Sequence, residues 1–424
     1  MTQRSVRYGS ETLEFELPSG RLIDEVGAAR TEAVSDPSSV ISRALQAPYG
    51  SSPLREAVKG SGSVTVLVDD NTRPTPVHLI APHIVEHLEH GGIGRTDIRF
   101  LIAAGTHRAM TNRELEHKLG SEIASKYQVY NHHYENPDAL CRMGTTPSGV
   151  PITANRIARD ADFLIGVGNI VPHRYCGWSG GAKIIQPGIG GEATTAETHL
   201  MITRFPDVRL GVVENKVREE MESVAERVGL KFIVNTVLTH DQRLYDVVAG
   251  DFRQAFREGV RRAESVYSCP ITQRADVVIA SSFPSDLNLW QAAKALYSAE
   301  LMVQPEGIII LVSPCYEGVG EHDEFCRLLA LDYQTVDAMI TNGEVRDRVG
   351  AAAVLAVALV RKHATVYLVS EGIVESEAET MGIEVFGNLQ HAIDKALRVK
   401  GPGSTVSIAH EATEILPRLA DYRA

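Results

Sequence analysis

Residues 64–108 read VTVLVDDNTRPTPVHLIAPHIVEHLEHGGIGRTDIRFLIAAGTHR. Two near-continuously apolar runs, one starting at Val64 and one at Ile98, have the composition of strands buried on both faces. The segment between them, PVHLIAPHIVEHLEHGG, has helical period. Strand, helix, strand is the repeating unit of a parallel sheet. The pattern extends outward. DFLIGVG from Asp162 is a third strand, and KFIVNTVLTHDQRLYDVVAGD from Lys231 has the character of a hairpin that finishes the same domain. A second series follows, with DVVIASS from Asp276, GIIILVS from Gly307 and ATVYLVS from Ala364, spaced by helical stretches such as VRDRVGAAAVLAVALVRK. The expected fold class is therefore α/β, as two doubly wound (Rossmann-like) domains. Expected boundaries are 1–267, 268–405 and a C-terminal tail, 406–424, that could pack back on the first domain.

At 424 residues the chain exceeds what one core usually organises, which agrees with two domains. Its formal net charge of -12 argues against nucleic acid as a partner, because phosphate binding needs a concentrated basic face. Cys141, Cys176, Cys269, Cys315 and Cys326 are scattered, with no C-x-x-C pair. Neither a disulfide framework nor a cysteine zinc site is expected, and a reducing cytoplasm fits. The opening MTQRSVRYGSETLEFELP alternates like a strand pair and has no signal-peptide core. No apolar run is long enough to span a membrane, so no membrane association is expected. The sequence fixes no oligomeric state.

In open α/β sheets, functional groups collect at the carboxyl ends of strands. Three polar clusters stand where those ends are expected: Asp69-Asp70-Asn71-Thr72-Arg73-Pro74-Thr75-Pro76, Gly105-Thr106-His107-Arg108 and Asn169-Ile170-Val171-Pro172-His173. Their coincidence predicts one site, with the two prolines making a rigid turn that aims Asp70 and Arg73. Each cluster also has a plainer reading: Asp70 as a turn or cap residue paired with Arg73, and His107 as a satisfied loop histidine. His132-His133 and the histidines at 78, 83, 87 and 90 suggest metal only superficially, the latter set lying on a helix whose face is expected to be solvated.

Residues 173–199, HRYCGWSGGAKIIQPGIGGEATTAETH, place Lys183 in a glycine-rich loop between His173 and His199. Gly177, Gly180, Gly181, Gly188, Gly190 and Gly191 would let the backbone approach a bulky anion. A P-loop is excluded, since Ala182 precedes Lys183 and Ile184 follows it. Gly177-Trp178-Ser179-Gly180-Gly181 matches the G-x-S-x-G pattern, but no strand runs directly into it, so context argues against Ser179 as a nucleophile.

DDNTRPTP, GTHR, H-x-x-x-x-W-S-G-G-A-K, TAETH and the later Gln291-Ala292-Ala293-Lys294, in that order, resemble the nickel-pincer-nucleotide-dependent lactate racemase family. The resemblance implies a 2-hydroxy acid racemase or epimerase, acting on lactate or a related acid such as malate, with its active site in the cleft between the domains. It implies a nickel pyridinium-3,5-bisthiocarboxylic acid mononucleotide tethered to Lys183, with His199 on the nickel, a metal that imidazole suits. His107 and His173 match the catalytic histidines. Arg73, Gln291 and Lys294 match groups that hold the substrate carboxylate, with Trp178 beside them. Asp70, Gly105, Thr106, Gly180 and Gly181 would line the cofactor, while Arg174 and Tyr175 could shape specificity. Cofactor-biosynthesis enzymes would be needed for loading.

The implied chemistry suits these residue types. The C–H at C2 of a 2-hydroxy acid is a poor acid, whereas loss of hydride to a pyridinium leaves a stable 2-keto acid. The hydroxyl must lose its proton as hydride departs, and histidine suits that role near neutral pH. With the carboxylate pinned, one base reaches the hydroxyl of one enantiomer only, so two are needed. Two other readings stay open from the residues alone: a pyridoxal-type Schiff base on Lys183, and a non-catalytic nucleotide- or acid-binding relative.

Overall fold

The computed structural model describes residues 1–205, 208–320 and 322–420, which leaves the last four positions of the expected tail outside the described residues. The chain forms two compact units, one of Met1–Ala29 with Tyr267–Ala424 and one of Arg30–Val266. The first opens with an antiparallel hairpin of β1 (Thr2–Tyr8) and β2 (Glu11–Leu17), followed by β3 (Leu22–Val26).

The unit of residues 30–266 is built on β4 (Val64–Asp69), β5 (Ile98–Ala103), β6 (Gln128–Asn131), β9 (Phe163–Asn169), β12 (Leu230–Leu238) and β13 (Leu244–Gly250). Between them fall two small hairpins, β7 (Leu140–Thr145) with β8 (Pro151–Asn155) and β10 (Pro172–His173) with β11 (Gly177–Trp178). The sheet order is β13-β12-β9-β4-β5-β6, parallel throughout except for the antiparallel edge strand β13. Alternate residues Val64, Val66 and Val68 on β4 and Phe163, Ile165 and Val167 on β9 pack with Ile80, Ile84 and Leu88 of the helix Val77–His90. Strand alternation and helical period thus meet in one core. On that helix His78 and His90 are exposed as expected, but His87 is turned inward and burial lowers its pKa.

Chain direction across this sheet reverses beside β4. From β4 the chain steps to β5 and β6 on one side, then crosses to β9 and β12 on the other. A reversal of this kind splays the connections apart and leaves a crevice at the strand carboxyl ends. The ends that flank it are Asp69-Asp70 and Asn169.

The other unit continues with β14 (Ser268–Ile271), β15 (Ala275–Ser281), β16 (Val303–Val312), β17 (Ala364–Val369), β18 (Glu384–Phe386), β19 (Val406–Ala409) and β20 (Leu416–Leu419). Its six-stranded sheet is all parallel, in the order β18-β17-β16-β15-β19-β3. Two sequence expectations are corrected here. Residues 1–29 do not belong with the domain that follows them, because β3 pairs with β19 and the hairpin residues Val6, Phe15 and Leu17 join the core of β15 and β16. The segment from residue 406 is no tail packed on the first domain, since β19 hydrogen-bonds between β15 and β3, and β20 pairs with β14.

Candidate active site

Three adjacent strands, β9, β4 and β5, deliver the three polar clusters to one edge of the sheet. At the end of β4, Asp70 is buried and its Oδ2 accepts from His107 Nδ1 at 2.6 Å. Its Oδ1 accepts from the Thr72 hydroxyl at 2.6 Å and the Thr72 backbone N–H at 3.2 Å. Burial opposes ionisation of Asp70, but His107, Arg73 and Thr72 together hold its carboxyl well below the usual carboxylate range. A carboxylate only accepts, so the His107 proton sits on Nδ1 and the lone pair of the neutral ring on Nε2. Arg73 donates to the Thr72 carbonyl and hydroxyl, which fixes its stem beside this pair.

The helix Asn112–Leu119 braces the cluster at both ends. Thr111 and Glu114 form a capping box, and Glu114 also takes Arg108 at 2.8 and 3.0 Å, tying the helix start to the GTHR turn. One turn later Lys118, itself buried, reaches Asp69 Oδ1 and the Arg73 carbonyl, both at 2.8 Å.

The glycine-rich loop lies over β4, β9 and β12. Gly105 donates its N–H to the Gly188 carbonyl at 2.9 Å, and His132 Nε2 donates to the Gly190 carbonyl at 2.9 Å while Asn155 donates to His132 Nδ1. Burial lowers the pKa of His132 to about 4, so it is a neutral strut. Lys183 sits among Arg73, Cys176, Arg218 and Asp70, and desolvation followed by the Arg73 charge lowers its ammonium pKa to about 8. His173 and His199 both contact the ring of Tyr175, with centroids 5.7 and 4.6 Å away. His199 Nδ1 donates to the Thr195 carbonyl at 2.8 Å, which puts the lone pair of the neutral ring on Nε2. The Tyr175 N–H donates to His173 Nδ1 at 3.3 Å. Arg174 donates to the Val208 carbonyl at 3.3 Å, and Thr106 is buried in its turn.

Several of the loop's glycines are required by its own packing. A Cβ on Gly177, whose φ is +73°, would collide with the Val212 carbonyl, and one on Gly188 with the Ile184 carbonyl. Gly181 donates its N–H to Asn235 and Gly180 accepts from Arg218, so these two positions are likewise spent on the fold. Trp178 is fully buried, and its indole N–H donates to the Gly211 carbonyl at 3.0 Å. Ser179 is no nucleophile, for its hydroxyl donates to the Asn169 carbonyl at 2.7 Å and accepts from the Val171 N–H.

Sequence reading missed Arg218. It lies fully buried on the helix Lys216–Val228, donates to the carbonyls of Cys176, Trp178 and Gly180, and stacks 4.0 Å over Phe256. In KVREEMESVAERV it looks like one more solvated charge. Replacing it by Met removes a charged donor from three carbonyls, each of which keeps one other donor, and ends the stacking on Phe256. At about 1.5–3 kcal/mol for a hydrogen bond to a charged group, we expect a loss of at least about 2 kcal/mol in the unfolding free energy, measured by chemical denaturation.

In the other unit Asn288 caps the short helix Leu289–Ala292 through the Gln291 N–H, and the Lys294 ammonium donates to the Gln291 side-chain oxygen. Among the described residues no group of three or more His, Cys, Asp or Glu is arranged to hold a metal by itself, and no helix is long and apolar enough to cross a membrane.

Residues 8–211 match the family model described as the lactate racemase N-terminal domain, and residues 271–416 match that of the lactate racemase C-terminal domain. The chain belongs to the lactate racemase family. That places it among the isomerases. The lactate racemase of Thermoanaerobacterium thermosaccharolyticum is 29% identical over 329 residues, 76% of either chain. That of Lactiplantibacillus plantarum is 28% identical over 382 residues, covering 89% of this chain and 90% of its own. The fold is also that of the T. thermosaccharolyticum lactate racemase apoprotein, with a TM-score of 0.88 at 24% identity over 98% of this chain and 100% of that one. A Thermotoga maritima protein shares it at a TM-score of 0.72 and 21% identity, over 90% of this chain and 97% of its own.

Proposed function

We propose that this lactate racemase family protein inverts C2 of a 2-hydroxy acid, lactate or a related acid such as malate, with a nickel-pincer nucleotide tethered at Lys183. The observation that carries the reading is the Asp70–His107 pair beside a desolvated lysine, in a chain of this family. The residues present fit the group. Lys183 has an amine made nucleophilic by burial, His199 offers Nε2, and the Asn169 side-chain amide is a buried donor with no partner among the described residues. When bound, the cofactor supplies a reversible two-electron acceptor for the hydrogen on C2.

The protein's own residues manage the rest. Arg73 pins the substrate carboxylate, a task for which a guanidinium fork is shaped, and Gln291 and Lys294 are assigned to carboxylate binding as well. His107, held by Asp70 with its lone pair on Nε2, takes the proton of the C2 hydroxyl. His173 does so for the opposite enantiomer, a role that needs its proton on Nδ1 in place of the bond from the Tyr175 N–H; in each inversion the imidazole facing the hydroxyl starts neutral, the other starts protonated and returns a proton, and the planar keto acid turns its carbonyl from one to the other between the two events. Asp70 keeps His107 in the tautomer that can accept. Asp70→Asn is therefore expected to cut turnover about a hundredfold to ten-thousandfold, the range general-base catalysis contributes, while Lys183 stays modified; the check is kcat alongside intact mass.

The reading is tested by assaying loaded protein on enantiopure lactate, malate and longer or aromatic 2-hydroxy acids with chiral separation of products. Inversion of at least one supports it. No inversion of any, by protein carrying both adduct and nickel, contradicts it.

A further inference from the structure

We infer that Asn169 is a further cofactor-holding residue, whose side-chain amide donates to an acceptor atom of the nucleotide tethered at Lys183; the inference rests on the function proposed above. Asn169 ends β9, on the strand that flanks the chain reversal opposite β4. The register pairs Val68 with Val167, so Asp70, just past the end of β4, and Asn169, at the end of β9, each follow two residues after that pair. Asn169 therefore ends the strand next to the one that leads into Asp70.

Its main chain is committed to the fold, because its carbonyl accepts from Ser179 and its backbone pairs with Thr236. The side chain is not. Asn169 is 3% exposed, yet Nδ2 meets no hydrogen-bond partner among the described residues. Asn235 on the adjoining strand β12 is the internal control: equally buried, it accepts from the Gly181 N–H at 2.8 Å and donates to the Val234 carbonyl at 3.1 Å. Where an asparagine holds this fold together, both ends of its amide are used. A buried donor without an acceptor destabilises the protein that contains it, and such groups call for an explanation. Here the explanation is a ligand atom that completes the bond, at the crevice where α/β sheets bind ligands.

The inference has a signature that a structural asparagine cannot produce. In Asn169→Leu and Asn169→Ala the apoprotein should melt at or above the wild-type temperature, because the orphaned donor is gone. Loaded by co-production with the cofactor-making enzymes, the variants should gain less in melting temperature than wild type does, and lose nickel to EDTA about tenfold faster, the effect of one hydrogen bond of roughly 1.4 kcal/mol. Lower apoprotein melting in both variants would show an amide used by the fold and overturn the role. So would wild-type gain and nickel retention in both variants when wild type carries the adduct. A wild-type protein with no adduct after co-production overturns the functional reading itself, and this inference with it.

Discussion

Lys183→Ala removes the covalent adduct from the intact mass spectrum and leaves no inversion of any 2-hydroxy acid. This is the largest effect expected of a single substitution, because the amine is the only covalent anchor the reading provides. The structure prepares that amine. Burial and the Arg73 charge bring its pKa to about 8, against the ordinary lysine value of about 10.4. At pH 7 the neutral, nucleophilic fraction is then about one in ten instead of roughly one in 2,500. A lowered lysine pKa means that folding disfavours the ammonium, so reactivity rises with pH through the folded value. Acylation of Lys183 in the apoprotein, followed by peptide mass mapping, should show a midpoint near pH 8, while exposed lysines stay sluggish until higher pH. A midpoint near the ordinary lysine value would contradict the desolvated setting. Lys183→Arg should behave as the alanine variant does, since a guanidinium keeps the charge but is no nucleophile. Nickel and sulfur in the wild-type adduct, with no borohydride-reducible imine, separate this chemistry from a pyridoxal-type Schiff base.

His107→Ala and His173→Ala each abolish racemisation while the Lys183 adduct remains at its wild-type mass. A pinned carboxylate and a fixed direction of departure for the C2 hydrogen put the hydroxyl of each enantiomer on a different side, so each imidazole serves one hand. Every turnover that inverts the acid uses both, one to take the proton and one to return it. Loss of either blocks inversion in both directions, and the expected fall is at least about a hundredfold to ten-thousandfold. Full activity in either purified variant counts against the two-base assignment. The two histidines are held differently. Asp70 fixes His107 through a charged hydrogen bond, whereas His173 takes the Tyr175 N–H on Nδ1 and the Tyr175 ring on its side.

Much of this arrangement was legible in the sequence because it follows from local pattern. The apolar runs from Val64, Ile98 and Phe163 are strands, and the polar residues that end them are the clusters now found on three neighbouring strands. Sheet topology turns a one-dimensional coincidence into a site. What stayed hidden depends on partners far away in the chain. Leu22–Val26 looks like any short strand near an N-terminus, and only its pairing with Val406–Ala409 assigns the first 29 residues to the unit completed by the chain's second half. Trp178 stands in a functional motif, yet its indole is spent on Gly211. Gly177, Gly188 and Gly181 are packed closely against Val212, Ile184 and Phe256, partners that nothing in the local sequence announces. Arg218 and Lys118 sit in helices whose charged residues face solvent in most proteins, and here burial against backbone carbonyls and Asp69 makes them internal struts. Asn169 carries no signal that separates it from Asn235 until the hydrogen bonds of each are known.

The central claim is that the hydrogen on C2 leaves and returns without becoming a solvent proton, while one of His107 and His173 takes the hydroxyl proton and the other gives one to the product. Its most direct test supplies the loaded protein with an enantiopure acid carrying deuterium at C2, in ordinary water, and analyses the opposite enantiomer by chiral separation and mass. The account predicts mirror-image product that keeps its deuterium. Mirror-image product with hydrogen at C2 would mean that a base had removed the label as a proton, and would contradict it.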